Sequence, residues 1–270
     1  MANQHTNHLN AFQTLGIVAC GGFSELHEEQ IRAAGYDLDA ILAEEGIASE
    51  RLHDALFLTT EIARITIGAN YERVSGSIKS CNRATERLPS SSNIVDLGGA
   101  SGIICFEAAM IRPDCNFAIA DRSQNALTVG RRWAETLNLQ NVKYTALSFS
   151  DAQPKLILGA ENDFVMLEYV FDVGGACENE DDAINDFKPG LWTASRILKR
   201  TGAVQIRFGE SGEVGLTALI RAAYRTELLM SSLSVAPEGC TLVFRKDYES
   251  HSENLEVSRA INEFASEMWR

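Results

Sequence analysis

No stretch of this 270-residue chain is apolar for long enough to cross a bilayer, which takes about 20 consecutive residues. Basic residues are scarce, with 24 Lys and Arg against 37 Asp and Glu and a net charge of −13. Nucleic-acid phosphates call for clustered Lys and Arg. Pairs such as Arg131-Arg132 and Lys199-Arg200 read instead as solvated helix faces or ends. Neither a nucleic acid nor a membrane is therefore an expected partner. The cysteines (Cys20, Cys81, Cys105, Cys115, Cys177, Cys240) form no Cys-x-x-Cys pair and have no His at metal-ligand spacing. No metal is expected, and free thiols fit a reducing cytoplasm. Met1-Ala2-Asn3-Gln4 opens a polar start with no apolar stretch behind it, so no signal peptide is read there. All five histidines, His5, His8, His27, His53 and His251, fall outside residues 90–246.

What is present is enough hydrophobic residue, 45%, to bury the core of one α/β domain with an additional element. The most informative segment is Ile94-Val95-Asp96-Leu97-Gly98-Gly99-Ala100-Ser101-Gly102, followed by an apolar stretch from Ile103. It reads as a buried strand, a tight loop and a helix start. Small residues let a ligand approach the backbone, and a helix N-terminus offers unpaired N–H groups. The dinucleotide pattern Gly-x-Gly-x-x-Gly does not fit, because positions 100 and 103 are Ala and Ile. Small residues at Gly98, Ala100 and Gly102, with Asp96 ahead of them, fit a different spacing.

A second apolar run, Phe117-Ala118-Ile119-Ala120, ends in Asp121, whose two oxygens can accept a ribose diol. Ser123 is a plausible N-cap for the helix that follows. Residues 141–147 read as a third strand, ending near Ser148-Phe149-Ser150-Asp151, and residues 163–168 as a fourth, ending at Glu168-Tyr169. A fifth spans 202–208 after a helix carrying Leu191, Trp192, Ile197 and Leu198. A closing pair, Leu228 to Val235 and Thr241 to Phe244, turns at Pro237-Glu238-Gly239.

Together these segments resemble the class I S-adenosylmethionine (SAM) dependent methyltransferases over residues 90–246. The resemblance implies an α/β fold with a Rossmann-like, mostly parallel seven-stranded sheet and a terminal antiparallel hairpin, preceded by an N-terminal helical extension. It implies SAM as cofactor, with Gly98, Gly99, Ala100 and Gly102 under its methionine part and Asp96 on its amino group. Asp121 stands at the ribose, Arg122 is a further cofactor-binding candidate beside it, and Ser148 and Phe149 stand at the adenine. Ser148 occupies the place where the family often carries an acid, with Asp151 as a substitute three residues on. The fourth strand end faces the reactive methyl and lacks the Asn/Asp-Pro-Pro-Tyr/Phe pattern of base amino methyltransferases. It also lacks a His, so Glu168 and Asp172 are the acid/base candidates, with Glu168 also beside the cofactor. Tyr169 and Phe171 are ring candidates near the sulfonium, where a cation over a ring gains about 0.5–2 kcal/mol.

Three segments are expected: an N-terminal helical extension over 1–88, a SAM-binding domain over 89–246 and a C-terminal helix over 247–270. Helices are read over 9–20, 24–34, 37–45 and 49–68, the last capped by Ser49. They serve either as a lid that keeps water from the site, with Tyr71 and Arg73 facing it, or as a packing or dimer face that would make the chain a homodimer. The acid-rich run from Glu178 to Asp182 reads as a solvated loop rather than a metal site. The function expected is methyl transfer to a small molecule or natural-product precursor. Two other uses of the fold stay open. One is a cyclase or lyase that takes SAM as its only substrate and releases methylthioadenosine. The other is a non-catalytic SAM-binding regulator.

Overall fold

A computed structural model describes residues 10–45, 49–171, 179–209, 213–236 and 239–246. Six helices come first: α1 (Asn10–Leu15), α2 (Glu25–Ala33), α3 (Leu38–Glu45), α4 (Glu50–Leu56), α5 (Thr60–Ala69) and α6 (Tyr71–Glu86). Strands and helices then alternate as β1 (Asn93–Leu97), α7 (Ile103–Ile111), β2 (Asn116–Asp121), α8 (Gln124–Thr136), β3 (Val142–Ala146), α9 (Pro154–Leu158), β4 (Asn162–Glu168), α10 (Glu180–Ile197), β5 (Leu198–Phe208) and α11 (Glu213–Arg225). The hairpin β6 (Leu229–Ala236) and β7 (Gly239–Arg245) closes the order. The strands make one seven-stranded sheet, β3-β2-β1-β4-β5-β7-β6, in which β7 is antiparallel to both neighbours. This is the α/β sheet with a terminal antiparallel hairpin expected from the sequence. Among the described residues, no helix is long and apolar enough to cross a membrane.

Several helix boundaries differ from the sequence reading for local reasons. The helix expected over 9–20 stops at Leu15 because Gly16 takes φ +67. The Ile17 and Gly16 amides then close onto the Phe12 and Gln13 carbonyls, at 2.8 and 3.2 Å, as a Schellman end. The helix expected over 49–68 is two. Ser49 caps α4 by accepting from the Leu52 amide, and Thr59 starts α5 by accepting from that of Ile62. β5 begins at Leu198, four residues before the expected start, while α9 and α11 have no counterpart in the sequence reading. Asn179 caps α10, and Glu180, Asp181 and Asp182 occupy its first turn, where negative charge suits the helix dipole. The helix expected over 247–270 and the turn residues Pro237 and Glu238 lie outside the described residues.

The chain divides into two compact units, residues 1–91 with 99–146 and residues 92–98 with 147–270. In the first, the N-terminal helices share a core with α7 and α8. Phe12, Leu15 and Ile67 pack in one cluster with Ile103, Phe106, Val129 and Trp133, all buried. The guanidinium of Arg64 on α5 donates to the Leu15 carbonyl at 2.6 Å, satisfying an end of α1. In the second unit, β1 and β4 are parallel neighbours with Asp96 opposite Met166. Both strands are almost wholly buried, as expected for parallel strands covered on two faces.

Candidate functional site

The strand order reverses between β1 and β4, and in open α/β sheets ligands bind outside the carboxyl ends at such a point. Asp96 stands near the end of β1 and is 1% exposed. Gly98 follows at φ +73. A Cβ there would lie 2.7 Å from a methyl of Val170, in the segment after β4, so the close approach and the backbone conformation both call for glycine.

The loop continues through Gly99, Ala100 (φ +48), Ser101 and Gly102 (φ +76). Gly102 begins α7 with no side-chain cap, and its amide donates to the Gly99 carbonyl at 2.7 Å. A Cβ on Gly102 would lie 2.7 Å from Ile119 of β2. Asp121 ends β2 and holds this loop: its Oδ2 accepts from the Ala100 amide and its Oδ1 from the Ser123 amide, both at 2.8 Å. Asp121 is buried, whereas Arg122 is exposed. Ser123 caps α8 by accepting from the Ala126 amide at 3.2 Å.

After β3 the chain folds on itself. The Ser148 amide donates to Asp151 Oδ2 at 2.8 Å, and the Ser148 and Ser150 hydroxyls are 2.8 Å apart. Asp151 thus organises the loop that carries Ser148. The edge of Phe149 comes within 3.3 Å of where a Cβ on Gly190 of α10 would stand, and the Phe171 ring within 2.9 Å. Phe171 also packs on Phe187 at 5.3 Å.

At the end of β4, Glu168 is 6% exposed and accepts from the Gln205 side-chain amide at 2.8 Å. Arg207 of β5 is its register partner and is also buried. Tyr169 sits at φ +56, a conformation that costs a non-glycine residue about 1–2 kcal/mol. Its amide donates to the Arg207 carbonyl at 2.7 Å, and its hydroxyl accepts from Arg207 Nε at 3.4 Å. Strain of this kind gathers where a site needs a side chain held in place. Asp172 lies outside the described residues. Tyr71 packs its ring on Phe12 at 5.1 Å, against the core shared by α1 and α7, and Arg73 is exposed.

The fold is similar to that of an O-methyltransferase family protein from Burkholderia thailandensis, at 13% identity, with 90% of this chain and 83% of that one covered and a TM-score of 0.56. It is also similar to human N-acetylserotonin methyltransferase solved in complex with SAM. There the identity is 13%, the coverage 82% of this chain and 66% of that one, and the TM-score 0.52. The chain has the class I SAM-dependent methyltransferase fold. In sequence it is 27% identical over 135 residues to the release factor glutamine methyltransferase of Streptococcus pneumoniae, covering 46% of this chain and 48% of that protein. The chain thus spans about half the length of the curated relative it matches. No protein-family model matches it.

Within this methyltransferase fold, three further residues were not singled out from sequence. Gly130 of α8 lies against the loop backbone, since a Cβ there would meet the Ser101 carbonyl oxygen at 2.4 Å. The available signal was an isolated glycine inside a helical pattern, which often has a packing cause. Asp54 of α4 accepts from the Ser123 hydroxyl at 2.5 Å, and no sequence spacing links residues so far apart. Arg207 is the third, a buried cation at a strand end.

His53, beside Asp54, is half-buried. Burial pushes its imidazole below the ordinary value of 6.5. The Asp121 carboxylate opposes that shift, the Arg122 guanidinium adds to it and Asp54 opposes it. The unfolded chain therefore binds this proton more readily than the folded one. The neutral imidazole's contribution to stability is complete above the unfolded value of 6.5 and is lost as pH falls through the lower folded value. Denaturant midpoints measured from pH 7.5 down to about pH 5 should fall more steeply for the wild type than for His53→Gln. Parallel profiles would show that His53 does not carry the effect.

Proposed function

We propose that this chain is a SAM-dependent methyltransferase acting on a small molecule or natural-product precursor. The observation that carries the reading is the loop after β1, with three left-handed residues at alternate positions, pinned to Asp121 at the end of β2. The residues fit SAM. Each Asp121 oxygen accepts one backbone N–H, and a carboxylate oxygen has room for two, so capacity is left for a ribose diol. Asp96 supplies a buried carboxylate for an ammonium group, and Gly98 to Gly102 supply backbone without bulk. Ser148 and Phe149 are the proposed adenine contacts.

SAM supplies a methyl group on a sulfonium that is already a good leaving group, which leaves the protein to position the acceptor and manage charge. Glu168 is the proposed proton acceptor for the substrate, held in place by Gln205, with Asp172 as the second carboxylate. The Tyr169 ring, fixed through Arg207, is proposed as a wall for the cation. A net charge of −13 supports a small acceptor rather than a nucleic acid.

The test is incubation with SAM alone, followed by mass spectrometry and calorimetry. SAM should bind and stay intact, and a panel of small hydroxyl, amine and carboxylate compounds should then yield adenosylhomocysteine. Methylthioadenosine formed above an enzyme-free control would replace methyl transfer with intramolecular displacement on SAM. Absence of SAM binding would leave neither reading standing.

A further inference from the structure

The proposed cofactor residues come from strand ends and the loops that follow them, yet α4 reaches this set from the N-terminal helices. α4 meets the start of α8 through two hydrogen bonds. The Ser123 hydroxyl donates to Asp54 Oδ1 at 2.5 Å, and the Asn125 side-chain amide donates to the Asp54 carbonyl at 3.0 Å. Ser123 is fully buried, and its hydroxyl also accepts from the Ala126 amide at 3.2 Å. A hydroxyl that donates to a carboxylate and accepts from a helix amide has no freedom left to rotate. The bond to Asp54 is charge-assisted and short, the strong kind.

The backbone of the same serine is what holds Asp121. Its amide donates to Asp121 Oδ1, while Asp121 Oδ2 takes the Ala100 amide. A continuous chain of hydrogen bonds therefore runs from Asp54 through Ser123 and Asp121 to the loop after β1. Turning the 121–123 segment by a few tenths of an ångström would re-aim the carboxylate that the ribose is proposed to meet.

We propose that Asp54 is a positioning residue for Asp121, so that α4 is a working part of the cofactor site and contributes to recognition of the ribose. The inference rests on the reading that Asp121 receives the ribose of SAM. A purely structural clasp would weaken every ligand alike. A positioning role should weaken those that carry the full diol most.

The experiment compares calorimetric affinities for adenosylhomocysteine and its 2′-deoxyribose analogue. Asp54→Ala should weaken adenosylhomocysteine about tenfold, the scale of one charge-assisted hydrogen bond, and the deoxy analogue much less. Asp54→Asn, which keeps the accepting oxygen, should restore the wild-type preference. Ser123→Ala should reproduce the selective loss, and it carries the test should Asp54→Ala fail to fold. Thermal midpoints of the two alanine variants and their double provide a ligand-free readout, with the double expected to lose less than the two singles combined. Equal weakening of both ligands, or additive thermal losses, would overturn the inference while leaving SAM binding intact. A wild type that binds neither ligand would instead overturn the SAM reading beneath it.

Discussion

Asp121→Ala is expected to lose at least an order of magnitude in SAM affinity and about 2–4 kcal/mol of unfolding stability. The two losses have one origin. Both carboxylate oxygens accept backbone amides, from Ala100 and Ser123, at a residue only 4% exposed. Alanine would leave those two donors without their acceptor, and an unsatisfied buried donor costs about 1–3 kcal/mol. The loop after β1 would also lose its tie to β2, so a ligand would have to order the loop as it binds. Asp121→Asn is the sharper variant. It keeps one accepting oxygen but turns an NH2 group toward the other amide, so it should fall between wild type and alanine in stability while losing most of the affinity. Urea denaturation and calorimetry on the same preparations separate the two effects. Affinity unchanged in both variants would sink the assignment of Asp121 to the ribose.

Gly130→Ala carries the second large expectation, and its sign is opposite to the usual one. In a helix interior, replacing glycine by alanine normally gains about 1 kcal/mol. Here the new methyl would stand 2.4 Å from the Ser101 carbonyl oxygen, 2.5 Å from the Tyr144 ring and 3.0 Å from the Ser101 carbonyl carbon. Two of the three contacts are backbone, which cannot swing aside. The Tyr144 hydroxyl donates to that same carbonyl at 3.2 Å, so moving the ring loses a hydrogen bond as well. Overpacking costs about 1–3 kcal/mol or more, and the net expectation is a loss of about 2 kcal/mol. Because Ser101 belongs to the loop proposed to hold SAM, affinity should fall with stability. Gly21→Ala, where a Cβ meets nothing within 4 Å, is the control and should be close to neutral. A Gly130→Ala protein as stable as wild type would mean that α8 can withdraw from the loop without cost.

The parts of this fold that were legible in the sequence are those written in short-range patterns. An apolar run of four or five residues ending in an acid, then glycines, then a second apolar stretch, is readable because strand, turn and helix start each constrain neighbouring positions. β1, β2, β4 and the Ser123 cap were found that way. Where competing local rules meet, the reading failed. Periodicity alone carried a helix through Gly16 and Thr59. The first ends a helix by taking a left-handed conformation, and the second starts a new one by accepting a backbone amide.

The sequence by itself determined the order of the strands, the small-residue loop and the two acids at the ends of β1 and β2, because these depend on residues within a few positions of one another. Only the tertiary structure decided that Gly130 must be a glycine, that Asp121 spends an oxygen on each of two amides, and that α4 reaches Ser123. Except for the Asp121–Ser123 bond, each of these is a contact between residues far apart in the chain. No local propensity encodes such contacts, and they exist only once α8 and the N-terminal helices are packed around the same loop.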